Sequence, residues 1–115
     1  MEKFVDTLFA GGYCDRRGGA VCATIVSLPN WESKLGIVLL CVKNEYLNFY
    51  EIDFKSNIGK KVAGVEIAKA ENFVFKANFF VQLLSFDYEG KHYEFTNFGN
   101  HKALKQVFAE ERDKQ

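Results

Sequence analysis

Beyond residue 19 the chain alternates short apolar runs with polar breaks rich in glycine, asparagine and proline, and the length and period of the runs predict strands. Residues 20–28 form the first, ended by Pro29-Asn30, where proline cannot donate to a ladder. Residues 35–42 are nearly unbroken apolar sequence between punctuated flanks, which predicts a strand covered on both faces. Asn44-Glu45 then reverses the chain tightly into residues 46–53, with Leu47 and Phe49 on one face and Tyr46, Asn48 and Tyr50 on the other. After a long polar connection over residues 54–60, the segment 62–67 sets Val65 and Ile67 on one side and suits a half-buried strand. Phe73 and Phe75 alternate with polar neighbours over residues 72–77, and residues 79–88 read as a longer strand around an apolar centre. Glu89-Gly90 turns the chain into residues 91–97, where Tyr93 and Phe95 face one way and His92, Glu94 and Thr96 the other.

The period then changes. Ala103, Leu104, Val107 and Phe108 form one stripe, and Lys102, Lys105, Gln106 and Glu110 the other, which predicts an amphipathic helix over residues 100–112 with Asn100 as its N-cap. A helix so short is marginal by itself, so the stripe must dock on the sheet. At the opposite end, Phe4, Val5, Leu8 and Phe9 recur at helical spacing before Gly11-Gly12, predicting a short N-terminal helix over residues 1–12. The expected fold is therefore mainly β: seven antiparallel strands over residues 20–97 in a partly open barrel or sandwich, capped by a C-terminal helix. Residues 1–115 suffice for one domain and no more.

Composition sharpens this picture. Twelve Phe and five Tyr supply large, stiff side chains that favour pleated surfaces. Fifteen basic and fifteen acidic residues cancel, so long-range attraction to a polyanion is absent and nucleic acid is disfavoured as a partner. Residues 90–95 have an aromatic spacing like that of an RNA-recognition motif, but the helix that such a fold needs after its first strand is not predicted. Cys14, Cys22 and Cys41 are odd in number and not closely paired in sequence, so they read as reduced, largely buried thiols rather than disulfides or a zinc site. No secretory leader or membrane span is predicted, and the cytoplasm is the expected location.

The order of elements, with Leu35-Gly36-Ile37-Val38-Leu39 followed by Tyr46-Leu47-Asn48-Phe49-Tyr50, resembles the second and third strands of pleckstrin-homology-like (PH-like) and GRAM-like domains. Residues 83–96 look like the final hairpin of those domains, and residues 100–112 like their capping helix. The likeness covers roughly residues 20–112 and is closest to the small bacterial members. It implies a PH-like barrel that binds rather than catalyses, and it carries more about architecture than about ligand. Phosphoinositide-binding members place several Lys and Arg between their first two strands. Here Pro29-Asn30-Trp31-Glu32-Ser33-Lys34 offers a single Lys beside Glu32.

Candidate binding residues lie in two loops. Trp31 and Lys34 fall in the first, where an exposed Trp would serve as an interaction hot spot. Phe54, Lys55, Lys60 and Lys61 belong to the second, a mixed basic and apolar stretch suited to an anionic leaflet, with solvated lysines and inward-folded apolar residues as the simpler reading. Glu51 and Asp53 lie two apart without a third ligand, and His92 and His101 have no partner spacing, so neither set indicates metal binding or acid–base chemistry. No activated nucleophile or phosphate loop is spelled out. The sequence thus predicts no enzyme, cofactor or metal. It predicts a module for protein interaction or self-association, with anionic lipid bound through residues 54–61 as the alternative.

Overall fold

The computed structural model describes residues 10–15, 19–29, 36–53, 55, 57–99 and 101–113. Seven strands form one open antiparallel sheet: β1 (Ala20–Ser27), β2 (Ile37–Lys43), β3 (Tyr46–Ile52), β4 (Ile58–Glu66), β5 (Glu71–Ala77), β6 (Gln82–Tyr88) and β7 (Lys91–Thr96). A 3-10 turn, Ile67–Lys69, joins β4 to β5, and helix α1 (Lys102–Asp113) follows β7. The order across the sheet is β4-β3-β2-β1-β7-β6-β5, so β1 is paired on both sides and β4 and β5 are the edges. The expected N-terminal helix over residues 1–12 and the Asn100 N-cap fall on segments that lie largely outside the described residues.

Two of the reversals are two-residue turns, as the registers Lys43↔Tyr46 and Tyr88↔Lys91 require. Asn44 and Glu45 adopt φ of 53° and 69°, and Glu89 and Gly90 adopt 51° and 77°. Positive φ at both central positions matches the right-handed twist of the flanking strands. At Gly90 a Cβ would meet open space, so the demand for glycine there is conformational.

The sheet curls over a single aromatic interior. Phe49 on β3 stacks on Tyr93 and Phe95 of β7, at centroid distances of 5.7 and 5.4 Å, although β2 and β1 separate those strands in the sheet. Only a sheet folded onto itself brings them together. The ring contacts continue from Tyr93 to Phe86 and Phe73, and Phe108 of α1 meets Phe73 and Phe75 edge-on at 5.3 and 5.0 Å. Such offset and edge contacts add about 0.5–1.5 kcal/mol each beyond burial. Leu104, Val107 and Phe108 are buried, so the helical stripe docks as its period predicts, while Ala103 at its border is exposed.

The second face of β1–β3 carries its own apolar layer: Cys14, Ala20, Leu39, Cys41 and Ile52, flanked by Tyr13, Cys22 and Tyr50. β2 is thereby buried on both faces, in keeping with its unbroken apolar sequence. Residues 12–15 are tied across it. Lys43 Nζ donates to the Gly12 carbonyl, Asp15 N donates to the Val42 carbonyl at 3.1 Å, and Asn44 N donates to Asp15 Oδ2 at 2.7 Å.

Candidate functional site

The β3–β4 connection is built on Asp53. Its Oδ1 accepts from the backbone N–H groups of Lys55 and Asn57, both at 2.9 Å, and its Oδ2 accepts from Asn57 Nδ2 at 2.9 Å. These bonds, the Asn57 backbone N–H foremost, hold the Asp53 carboxyl below its ordinary range. Asp53 is therefore occupied with holding its own turn rather than sharing work with Glu51. Strand β4 begins at Ile58, so residues 58–61, expected as loop, pair as an edge strand through Ile52↔Ile58 and Tyr50↔Lys61. Lys55, Lys60 and Lys61 are exposed. Lys60 and Lys61 are consecutive on β4, in a stretch where the register with β3 shifts. Lysines on an edge strand also discourage further strand pairing. Trp31, Lys34 and Phe54 lie outside the described residues.

At the β6–β7 hairpin the register places Asp87 opposite His92. His92 Nδ1 lies 2.8 Å from Asp87 Oδ1, and Nε2 lies 3.1 Å from Glu94 Oε1. The bonds to Asp87 and then to Glu94 raise the His92 pKa. Asn72 donates to Asp87 Oδ2 at 2.9 Å and, with His92, keeps Asp87 low. An open, polar depression of about 350 Å³ adjoins, lined by Glu71, Asp87, Tyr88, Glu89, Gly90 and His92. Since both ring nitrogens face carboxylates, which only accept, the arrangement favours the protonated ring and leaves neither nitrogen unengaged. Among the described residues no group of three or more His, Cys, Asp or Glu side chains could hold a metal ion.

The three cysteines are free thiols gathered on the second face. Burial pushes the Cys41 thiol up to about 12, with Cys14 and Cys22 adding to the shift, and burial raises the other two as well. A thiol so shifted carries negligible thiolate at neutral pH and is a poor nucleophile.

Two apolar features face solvent. Between β5 and α1 lies a groove of about 250 Å³ lined by Phe73, Phe75, Lys105, Phe108 and Ala109. It is smaller than the roughly 300–1,000 Å³ typical of small-molecule sites, and fits one or two side chains of a larger partner. At the end of the same strand, residues 78–81 form a turn that presents Phe79 and Phe80 at 83% and 88% exposure, with Val81 at 45%. Asn78 fixes it: its Oδ1 accepts from Phe80 N and Val81 N at 2.9 and 2.8 Å, and its backbone N donates to the Val81 carbonyl at 3.0 Å.

The apolar run over residues 79–88 predicts a strand from Phe79 on, whereas residues 79–81 belong to this tip and β6 begins at Gln82. The signal was nonetheless present. Three consecutive apolar residues cannot all face one side of a period-2 strand, and Asn78 is a turn former. Among the described residues no helix is long and apolar enough to cross a membrane. No protein-family model matches this chain, and no curated protein sequence matches it.

Proposed function

We propose that this chain is a non-catalytic binding module of PH-like type that holds an extended segment of a protein partner in the groove between β5 and α1. The observation that carries the reading is the groove itself: three phenylalanine rings beside an edge strand, with Lys105 as the one charge lining it among the described residues. An apolar side chain of the segment fills the hollow, and a neighbouring carboxylate meets the Lys105 ammonium. The reading also leans on the architecture expected from the sequence: seven antiparallel strands followed by a docked helix. The non-catalytic reading is supported by the engaged ring nitrogens of His92 and the raised thiols.

Selection from a displayed peptide library tests it. Enriched sequences should share an apolar residue next to an acidic one, and should lose at least about tenfold in affinity on Lys105→Glu or on Ala109→Trp, which fills the groove mouth from an exposed position. The reading fails if nothing is enriched, or if bound peptides ignore both substitutions. Sedimentation of the protein alone decides the self-association version: a dimer dispersed by Ala109→Trp would replace the peptide with a second copy.

A further inference from the structure

We infer that the β5–β6 hairpin tip is a membrane-docking element that inserts Phe79 and Phe80 into an anionic lipid surface. Phe79 and Phe80 pack edge-on against each other at 5.3 Å and meet solvent with most of their area. The turn beneath them is held by Asn78 and by Gln82 Nε2 donating to the Asn78 carbonyl at 3.0 Å, so the rings are presented on a fixed support. Two adjacent rings on a rigid, protruding tip are suited to entering the boundary between headgroups and acyl chains.

Area and charge choose the occupant. Phenylalanine buries about 150–250 Å² when covered, so the two rings offer about 300–500 Å², below the roughly 800 Å² per partner of a stable protein interface. A second copy or a folded partner would find too little surface here, whereas a bilayer needs only a few inserted side chains plus attraction from basic residues. The charges nearby have the right sign. From Phe73 to Leu84 the only charged residue is Lys76, and from Phe95 to Gln106 the charged residues are Lys102 and Lys105.

Those two stretches are brought together by the Phe75–Phe98 stack at 5.4 Å and by the Leu83↔Thr96 pairing. Lys76, Lys102 and Lys105 are all exposed. On β5 the nearest acid is Glu71, six strand positions from Ala77 and so about 20 Å away, beyond the screening length of roughly 8 Å at physiological salt. Asp87 and Glu89 sit at the β6–β7 end together with Lys91, and Glu94, opposite Ser85 in mid-strand, is engaged by His92. The end of β5 and the start of α1 thus carry basic residues without an acidic one, whereas Asp87 and Glu89 stand at the far hairpin. The basic and apolar surface expected at residues 54–61 has its better-formed counterpart here.

Co-sedimentation with vesicles provides the test, using phosphatidylcholine with and without phosphatidylserine. The intact chain should pellet with the phosphatidylserine vesicles in low salt, dissociate as salt rises, and bind phosphatidylcholine alone far less. Phe79→Ser with Phe80→Ser should weaken binding at least about tenfold, and Lys76→Glu by a smaller factor, with the thermal midpoint unchanged because the rings are already in water. Phe80→Ser alone, with a partial loss, guards against a double variant that misfolds. Selection on the groove should be indifferent to the tip variants, which separates this inference from the peptide reading. Absence of wild-type binding to either vesicle, equal binding to both, or undiminished binding by the tip variants overturns it. So does a tip-dependent change in oligomer size without vesicles, which would assign the rings to a second copy.

Discussion

Gly64 and Asn48 show how closely β3 and β4 approach. A Cβ on Gly64 would stand 2.9 Å from Asn48 Oδ1, and Asn48 is only 6% exposed, with that oxygen lacking a hydrogen-bond partner. The side chain has little room to yield, so Gly64→Ala should destabilise the fold by about 1–3 kcal/mol despite alanine's lower backbone entropy cost. A chemical-denaturation midpoint that is unchanged or higher would show that Asn48 moves aside freely. Nothing in the sequence announces this contact. The Asn48↔Gly64 pairing depends on the bulge between Phe49 and Tyr50, which no local pattern encodes.

Among the elements, the β6–β7 hairpin and the entry to α1 titrate in opposite senses. Bonds to Asp87 and Glu94 raise the pKa of His92, so its clamp contributes fully below the ordinary histidine value of about 6.5 and is lost as pH rises through the raised folded value. His101 is lowered, chiefly by burial, and the Phe98 backbone opposes that only in part. Its contribution is complete above about 6.5 and is lost as pH falls through the depressed folded value. Ring-proton NMR titration should place the His92 midpoint above and the His101 midpoint below that of an unstructured histidine, and the reverse order would refute both assignments. The pairing of Asp87 with His92 was legible in principle. Once Glu89-Gly90 is taken as a two-residue turn, counting outward sets the two residues opposite each other.

At the scale of the molecule, α1 is the closure on which the interior depends. Phe108 meets Phe73 and Phe75 and is buried with Leu104 and Val107, so Phe108→Ala should cost about 3–5 kcal/mol, a large share of the roughly 5–15 kcal/mol of a whole domain. Limited proteolysis should then cut first within α1, and resistance equal to that of the wild type would mean that the helix is dispensable. Much of this architecture could be read from local patterns: the doubly buried β2, the two tight turns, the alternation in β7 and the stripe of α1 all follow from period and turn chemistry. What could not be read arises between segments far apart in the chain. Edge strand β4 begins in a polar stretch with no alternation to mark it, the thiols converge through register, and the groove exists only after α1 has docked.

The position of β1 in the middle of the sheet sets the order in which the molecule can be made. One of its edges is satisfied by β2, a near neighbour, but the other waits for β7: Ser27 reaches the His92 carbonyl across 65 residues, and Asn97 reaches Thr24 across 73. Closing so long a loop forfeits chain entropy before any contact repays it, which places the protein among slow, topologically non-local folders. During synthesis the first four strands can assemble as a hairpin array while the flank of β1 stays open. The seam is sealed only when the last strand has emerged, and until then that flank is the nascent chain's own site of vulnerability to misassociation.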